Sequence, residues 1–387
     1  MLLYIAIFVV TLISYLSTYK NDEQSRNWLI GMMVFLALFV GLADMLGGYD
    51  RYIYGVLFDS LCFIDEPHKA FMPPLAIYDY YGEEFGYCAL NYVITFVTHN
   101  RYIFIFIVTV IIYALICRSL MRYTENYPFA VMVFMGLWFF FTFTYLRQVL
   151  AASIGWMAFE YAARRKPWHF FAIVLLAFSF HNSALVLLPM YFVPVKKFNS
   201  SSVIVILIGC ALVGATNIAG MAFSGYGEVS GDISRAEGYV EQAKEGAIRF
   251  EYILEAVVFL TFIFLRYDEI DEDDELQVTM SNAAIIFCAL LLLFLRSENG
   301  GRISWFYMIG IISTITYLAT NRRDFSMYNL ALVGLFFGLF MRILLQWGNL
   351  TLLYPYKTFL TNGAPAGWVP GVYEYDHRYD EDKFYKW

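Results

Sequence analysis

A few ionisable side chains stand in short polar breaks between long apolar runs, where they could hold and act on an anionic substrate. Arg147 lies in one such break, and His181 lies in another further along the chain. Ionisable groups at the ends of membrane helices cost free energy and often mark a pathway or a site. A guanidinium presents a planar fork of donors that fits phosphate oxygens, and an imidazole can accept a proton near neutral pH. The two residues therefore predict phosphate binding combined with proton transfer.

Further arginines occupy similar positions. Arg302 follows Gly300-Gly301 at the start of a late apolar run. Glycines let the backbone approach a ligand closely, and the N-terminus of a helix attracts anions, so Arg302 is a second predicted catalytic contact to phosphate. For these arginines the alternative is a contact with lipid headgroups. The remaining predicted substrate contacts lie in the polar segments and are Arg51, Tyr54, Gln148, Asn182, Arg249 and Arg296.

Two of the candidate catalytic residues have competing interpretations. His181 either takes a proton as a general base or caps a helix end, since Asn182 after it is a favourable N-cap residue. Asp50 either orients a sugar hydroxyl or serves as an alternative base. It could equally form a structural salt bridge with Arg51 or Arg101.

The composition is that of a polytopic membrane protein. Of 387 residues, 60% are hydrophobic and 15% are charged, against about 25% charged in soluble domains. A helix that crosses ~30 Å of hydrocarbon needs ~20 apolar residues, so we expect an all-α membrane protein. The twelve predicted spans are 3–18, 28–45, 102–117, 128–145, 148–163, 168–180, 182–194, 202–217, 250–266, 278–296, 303–320 and 326–346. The net charge of −7 shows no basic face, and the five cysteines have no metal-binding spacing, so we expect no nucleic acid, no metal and no cofactor.

Lysine and arginine favour the cytoplasmic side of short loops. This bias puts the polar breaks of Arg147, His181 and Arg302 outside. Because successive spans cross the membrane in opposite directions, 87–97 must enter and leave on the outer face, as a short re-entrant or interfacial helix. The same topology places the acidic run 268–275 in the cytoplasm, as a solvated loop or as a cation site. The predicted parts are a transmembrane catalytic domain over 1–346, periplasmic loops at 47–86 and 221–249, and an extramembrane C-terminal tail over 347–387.

Several short motifs stand in a recognisable order along the chain. They are Gly41-Leu42, then Gly48-Tyr49-Asp50 with Tyr54 and Phe58, then Tyr145-Leu146-Arg147-Gln148 with Ala151-Ala152, then the break 177–184 around His181, and finally Arg302 with Tyr307. Over about residues 1–345 the chain therefore resembles the EpsG family of exopolysaccharide membrane proteins, which belongs with the Wzy-type polysaccharide polymerases. One departure is Ala43-Asp44, where members of the family often carry an arginine, so a phosphate contact from this position is not supported.

The resemblance implies a GT-C-like glycosyltransferase of the bacterial inner membrane whose active site faces the periplasm. Such an enzyme polymerises repeat units of O-antigen, exopolysaccharide or capsule. Both the donor and the acceptor are carried on undecaprenyl diphosphate, and a separate protein could regulate the chain length. Under this hypothesis Arg147 and Arg302 hold the diphosphate, His181 takes the acceptor's proton, and the anomeric carbon inverts without a metal ion.

The alternatives are a flippase or transporter of lipid-linked oligosaccharide, an O-antigen ligase-type transferase and a membrane acyltransferase. A transporter would carry its charged residues near the middle of the membrane, often in broken helices. Here the charged candidates collect on one predicted face, which favours an enzyme. An acyltransferase would need His181 on the cytoplasmic side.

Overall fold

The computed structural model describes residues 1–21, 25–44, 49–62, 84–216, 246–297, 300–322, 324–349, 352–353 and 356–360, and within them the chain is helical and has no strand. The α-helices are α1 (Leu2–Thr18), α2 (Arg26–Gly41), α3 (Tyr49–Cys62), α4 (Phe85–Thr95), α5 (Arg101–Tyr123), α6 (Tyr127–Leu137), α7 (Leu146–Trp156), α8 (Phe159–Ala163), α9 (Pro167–Phe180), α10 (Ser200–Ala215), α11 (Phe250–Leu265), α12 (Glu275–Leu293), α13 (Gly300–Ser304), α14 (Met308–Thr320) and α15 (Met327–Asn349). Short 3-10 helices cover Phe139–Phe143, Asn182–Phe192, Tyr267–Glu269 and Trp305–Tyr307. Much of the predicted loops 47–86 and 221–249, and the predicted tail beyond residue 360, lie outside the described residues.

The chain folds into two compact units. Unit 1 comprises Met1–Met121, Glu125–Leu150 and Arg323–Trp387, and unit 2 comprises Arg122–Thr124 and Ala151–Arg322. In unit 1, α6 is buried along its length and packs against α1, α2 and α15. In unit 2, α12 packs against α10, α11 and α14. Both helices carry apolar residues on all faces, as expected of helices enclosed by other helices.

Four helices of the described chain are long and apolar enough to cross a membrane, namely Arg101–Tyr123, Glu275–Leu293, Gly301–Thr320 and Met327–Gly348. Shorter apolar helices are Leu2–Thr18, Arg26–Gly41, Tyr127–Leu137, Pro167–Phe180, Asn182–Phe192 and Ser200–Ala215. The chain is therefore a helical membrane protein, but these four helices do not reach the predicted count of twelve spans. Two of the predicted spans are interrupted for identifiable reasons.

The predicted span 148–163 is broken by the hydroxyl of Tyr123. This hydroxyl donates to the Trp156 carbonyl oxygen (2.8 Å) and accepts from the Glu160 amide (3.2 Å). In an unbroken helix those two backbone groups would bond to each other, so the phenol replaces one hydrogen bond of the helix. The chain accordingly ends α7 at Trp156 and begins α8 at Phe159.

The predicted span 128–145 changes its winding part of the way along. After α6 ends, a 3-10 helix follows. Thr142 donates from Oγ1 to the Phe139 carbonyl oxygen (2.6 Å), and it shares a second hydrogen bond with the Tyr113 hydroxyl (2.9 Å). Side-chain bonds of this kind compete with the α-helical ladder. This 3-10 helix ends at Phe143, just before the turn that carries Arg147.

The pair of short helices predicted to turn at His181 is confirmed. Helix α9 ends at Phe180, and the 3-10 helix that follows packs back against it. That 3-10 helix contains Pro189, which has no amide to donate and disfavours a regular α-helix. The short helix predicted at 87–97 is confirmed as α4.

The structure corrects the predicted loop 47–86 at its start, where α3 forms. Tyr54, Phe58 and Leu61 recur at helical spacing and are buried, so α3 has one apolar face. The Phe58 ring stacks on Phe104 of α5 with ring centroids 4.3 Å apart. Asp50, Arg51, Asp59 and Ser60 make the same stretch polar, which led to its interpretation as a loop.

The predicted tail over 347–387 is also corrected at its start, because its first described residues belong to the core of unit 1. Leu353 and Phe359 are buried. The ring of Tyr356 stacks on Phe39 of α2 with centroids 4.4 Å apart, and its hydroxyl donates to the Phe39 carbonyl oxygen (2.7 Å). The described residues 352–353 and 356–360, called the C-terminal segment below, are therefore part of the fold.

The close packing of α10 on α12 depends on a glycine. A Cβ at Gly214 would overlap the backbone carbonyls of Leu292 and Leu293. We predict that Gly214→Ala lowers the free energy of unfolding by ~1–3 kcal/mol, because backbone cannot move aside as a flexible side chain can. The control is Gly209→Ala on the same helix, where a Cβ meets nothing within 4 Å. Thermal unfolding in detergent measures both variants, and equal melting temperatures would contradict the prediction.

Candidate functional site

Arg147 stands in the first turn of α7 and exposes only 9% of its surface. Its Nη1 donates to Oε2 of Glu84, a residue that sequence reasoning did not single out. Glu84 is fully buried and immediately precedes α4. A buried carboxylate and a buried guanidinium keep their charges because each compensates the other. Unit 1 therefore contains a desolvated ion pair at the predicted phosphate contact.

Aromatic side chains lie beside this ion pair. Tyr87, one turn after Glu84 on α4, is fully buried, and its ring meets the ring of Tyr54 edge to face with centroids 5.9 Å apart. Tyr87 also lies within electrostatic reach of Arg147. Gln148, the next residue along α7, is buried as well. The predicted substrate contacts Tyr54 and Gln148 are thus in the same unit as Arg147.

Arg51 is buried, and its guanidinium binds three backbone carbonyl groups. Nη2 donates to the oxygens of Val40 (3.0 Å) and Ala43 (2.8 Å), and Nη1 donates to Phe143 (2.9 Å). Burial lowers the pKa of Arg51 to about 10, against the opposing effect of the Asp44 carboxylate, so the guanidinium is charged at neutral pH. These bonds tie α3 to the end of α2 and to the 3-10 segment before α7. The surroundings favour a structural role for Arg51, and its contact with substrate stays a prediction.

Two further ion pairs brace unit 1. Arg101 binds Asp59 through Nη2 (2.5 Å) and Nε (3.0 Å), with both side chains largely buried. Lys357 of the C-terminal segment binds Asp44 (3.2 Å), with both side chains almost fully buried. Asp50 lies in the first turn of α3 and is partly exposed. Its role as a sugar contact or alternative base stays a prediction.

His181 ends α9 and caps the 3-10 helix that follows. Its Nδ1 accepts a hydrogen bond from the Ser183 amide (3.1 Å), and its carbonyl oxygen accepts from the Ala184 amide (3.0 Å). A ring nitrogen that accepts from an amide carries no proton, so this bond assigns the proton of the neutral ring to Nε2. Nε2 is then a donor. For Nε2 to accept a proton instead, the ring would have to give up its bond to Ser183.

The segment of Arg302 contacts the segment that follows His181. Arg302 lies in α13, and the next 3-10 helix contains Tyr307. The Tyr307 hydroxyl donates to the Val186 carbonyl oxygen in the 3-10 helix after His181 (2.8 Å). Asn182, at the start of that helix, is buried. The structure therefore brings together the two segments of unit 2 in which catalytic residues were predicted.

Arg249, Arg296 and Arg302, called the arginine cluster below, lie in segments whose backbones meet at adjoining ends of α11, α12 and α13. Arg249 lies over the ring of Tyr252 at 6.0 Å, and the Tyr252 hydroxyl accepts from the Gly301 amide (3.2 Å). Arg296 donates from Nε to a backbone carbonyl of the segment that precedes Arg249 (2.9 Å). Three arginines predicted separately from the sequence thus share one end of unit 2.

An apolar groove of about 540 Å³ runs along α11 and begins one turn beyond Arg249. Apart from Thr261 its lining is apolar, so the groove suits a hydrocarbon chain. The lining residues are Ile204, Leu207, Ile208, Ala211, Ile253, Val257, Leu260, Thr261, Phe264, Leu265 and Leu292.

The loops predicted on the cytoplasmic side of unit 2 contact one another as well. Glu160 binds Arg122 (3.1 Å) and Arg164 (2.9 Å). These three side chains line a cavity of about 400 Å³ together with residues 273–275 of the acidic run, and Asp274 caps α12. Among the residues with described positions, no three His, Cys, Asp or Glu side chains form a group that could hold a metal ion. Within the acidic run, Asp274 thus caps α12, and residues 273–275 line a polar cavity.

The predicted site residues divide between the two units. Those in unit 1 are Asp50, Arg51, Tyr54, Arg147 and Gln148, and those in unit 2 are His181, Asn182, Arg249, Arg296 and Arg302. Within each unit the structure brings several of them together. A single site shared by Arg147, His181 and Arg302 stays a prediction.

Comparison with known proteins gives one match. The model of the EpsG family matches residues 28–358, from α2 to the C-terminal segment that packs on it. The matched region includes both groups of candidate site residues. No curated protein and no solved structure matches the chain.

Proposed function

The chain belongs to the EpsG family, and from this premise we propose that it polymerises a polysaccharide by joining repeat units carried on undecaprenyl diphosphate. Family membership and the apolar helices make it a membrane protein of polysaccharide biosynthesis. In more detail, we propose an inverting, metal-independent glycosyltransferase with GT-C-like architecture. Its active site lies at the periplasmic face of the bacterial inner membrane. The observation that supports it most is the largely buried Arg147 at the start of α7.

Arg147 suits a diphosphate because its charge is largely desolvated and its backbone is anchored. The Arg51 guanidinium holds the Phe143 carbonyl oxygen, just before the turn that carries Arg147. A cation held in water-poor surroundings stabilises negative charge on a leaving group more strongly than a cation in water does.

Unit 2 supplies the other features that a lipid diphosphate requires. The arginine cluster matches phosphate oxygens, and the apolar groove beside it matches a prenyl chain. Gly301 lets the Tyr252 hydroxyl come close to the backbone just before Arg302, which ties the segment of Arg302 to α11. We assign Arg302 to the diphosphate and Arg249 and Arg296 to the surroundings of the headgroup.

In the proposed reaction a hydroxyl oxygen of the acceptor sugar attacks the anomeric carbon of the donor. The glycosidic bond forms as the bond between that carbon and the phosphate oxygen breaks, so the configuration inverts and undecaprenyl diphosphate leaves. Arg147 and Arg302 stabilise the charge that collects on the departing diphosphate. The hydroxyl proton passes to a base.

The hydrogen bond from the Ser183 amide favours a donor role for His181 over the predicted role as base. With the proton on Nε2, the imidazole can donate to a phosphate oxygen of the leaving group. We therefore assign His181 to the leaving group, and the proton of the acceptor hydroxyl goes elsewhere.

Two substitutions at His181 separate the donor role from the base role. Glutamine places an N–H donor near the position of Nε2, whereas asparagine places an acceptor near the position of Nδ1 and is a good N-cap. We predict that His181→Gln retains more activity than His181→Asn, measured as glycan ladders from lipid-linked repeat units. If both variants instead lose ~100-fold or more while melting as the wild type does, His181 returns to the role of base.

Purified protein in liposomes that carry a lipid-diphosphate-linked repeat unit tests the function itself. We expect glycan ladders on a gel and release of undecaprenyl diphosphate, both unaffected by EDTA and absent from protein-free liposomes. Ladders that vanish with EDTA would overturn the metal-free mechanism. Movement of the intact lipid across the bilayer without ladders would instead identify a transporter, and transfer of a finished glycan to a lipid core would identify a ligase.

A further inference from the structure

Glu84 is a fully buried carboxylate that has no role in the proposed reaction. It contacts Arg147, the residue assigned to the diphosphate, from the N-terminal end of α4. Buried carboxylates are rare unless they are paired, and here the pairing partner is itself a candidate catalytic group. Glu84 therefore lies one side chain away from the predicted position of the leaving group.

A diphosphate that binds Arg147 changes the electrostatics of Glu84. The phosphate oxygens compete with the carboxylate for the same guanidinium donors. They also bring further negative charge next to Glu84 in surroundings that screen charge poorly. A like charge nearby and the loss of a cationic partner both favour the protonated form of a buried carboxylate. Binding of the donor thus increases the proton affinity of Glu84.

The acceptor sugar supplies such a proton. We propose, on the basis of the proposed function, that Glu84 is the general base, and that the donor's diphosphate activates it by drawing Arg147 away. The acceptor O–H proton passes to Oε of Glu84 as the hydroxyl oxygen bonds to the anomeric carbon. The electron pair of the broken carbon–oxygen bond leaves with the diphosphate, which Arg147 now holds.

The transfer of Arg147 from Glu84 to the diphosphate couples departure of the leaving group to deprotonation of the acceptor. Before the donor binds, Arg147 keeps Glu84 ionised and engaged, so the carboxylate cannot take a proton from solvent. When the leaving group develops charge, Arg147 is attracted more strongly to the diphosphate and Glu84 becomes a stronger base. Proton acceptance is therefore favoured only with a donor in place.

The groups around Glu84 set the expected pH dependence. Arg147 faces it from α7, and Tyr87 and Cys88 lie on its own helix. Tyr54 of α3 packs on Tyr87 behind them. Burial raises the pKa of Cys88 to about 11, so this thiol stays neutral and does not compete for the role of base. The rate of ladder formation should rise with pH as Glu84 loses its proton and then level off.

Glu84→Gln tests the proposal because glutamine keeps the shape of the side chain and cannot take the proton. We expect ladder formation to fall by ~100-fold or more, and the rise of the rate with pH at its acidic end to disappear. Glu84→Asp keeps a carboxylate and should retain part of the activity together with the pH dependence. Asp59→Asn is the matched control, since it removes a largely buried carboxylate from its arginine in the same unit. It should lower the melting temperature and leave the pH profile unchanged.

Proton uptake gives a readout that a purely structural role would not affect. Undecaprenyl diphosphate is titrated calorimetrically into each variant in two buffers of different ionisation enthalpy. We expect net proton uptake on binding to the wild type and to Asp59→Asn, and none on binding to Glu84→Gln. We also expect Glu84→Gln to bind the lipid at least as tightly as the wild type, because a repelling charge is gone.

The outcomes distinguish this inference from the proposed function. Wild-type ladders together with normal ladders from Glu84→Gln would overturn the role of Glu84 and leave the polymerase intact. Absence of ladders from the wild type would overturn the polymerase. If Glu84→Gln does not fold, Glu84→Asp serves instead. Partial activity of Glu84→Asp together with proton uptake supports the proposal, and proton uptake absent from both Glu84→Asp and the wild type overturns it.

Discussion

Replacing Arg147 with lysine is expected to lower ladder formation ~100-fold or more while the protein stays folded. Lysine keeps a positive charge beside Glu84 but supplies a compact ammonium instead of a planar fork. It therefore preserves the buried ion pair and loses the two-point hold on phosphate oxygens. Gel ladders from lipid-linked repeat units give the rate, and the melting temperature in detergent reports the fold.

Alanine at the same position should have a larger effect than lysine. Arg147→Ala removes the phosphate contact and also leaves Glu84 buried without its cation, at an expected cost of ~3–5 kcal/mol. Arg101→Lys is the matched control, because Arg101 is also largely buried and paired with a carboxylate in unit 1. It should form ladders at close to the wild-type rate. Normal ladders from a well-folded Arg147→Lys would remove Arg147 from the mechanism.

Arg51→Ala is expected to destabilise unit 1 by on the order of 3–5 kcal/mol. The substitution leaves three buried carbonyl oxygens without their donor and removes a buried cation near Asp44. Folded proteins are stable by only ~5–15 kcal/mol, so this loss should lower both the melting temperature and the yield of monodisperse protein. Size-exclusion chromatography and thermal unfolding in detergent measure both.

Ser60→Ala provides the reference for Arg51, since Ser60 lies on the exposed face of the same helix. It should melt within a few tenths of a kcal/mol of the wild type, as is usual for surface substitutions. The decisive contrary result is an Arg51→Ala protein that melts normally but no longer binds undecaprenyl diphosphate. That result would restore Arg51 to the substrate contacts that the sequence predicts.

The sequence predictions that the structure confirms were based on local patterns of residues. The break at His181 was visible because polar residues interrupt two apolar runs, and the short helix α4 was visible because its apolar run is too brief to span a bilayer. Arg302 was singled out because it follows two glycines at the start of an apolar run, and Arg296 because it lies six residues earlier; the contacts of both with substrate stay predictions. Each of these signals lies within a few residues of the feature it predicts.

The features that escaped prediction depend on partners distant in sequence. Glu84 stands next to Glu83, and nothing local shows which of the two meets Arg147. The one usable signal was its position directly before an apolar run, where a carboxylate faces the positive end of a helix dipole. Similarly, the break after Trp156 arises from Tyr123 on another helix, so no pattern within the span itself reveals it.

Unit 1 combines early and late stretches of the chain, which constrains the order in which the protein can be made. The Tyr4 hydroxyl donates to the Leu353 carbonyl oxygen (2.9 Å), and Asn329 donates to the Tyr15 hydroxyl (2.8 Å). A ribosome delivers α1 and α2 to the bilayer long before these acceptors and donors exist. Except for 122–124, unit 2 is one uninterrupted stretch and can mature during translation. The usual N-terminal-first sequence of maturation is thus reversed, and the half that carries Arg147 is completed last.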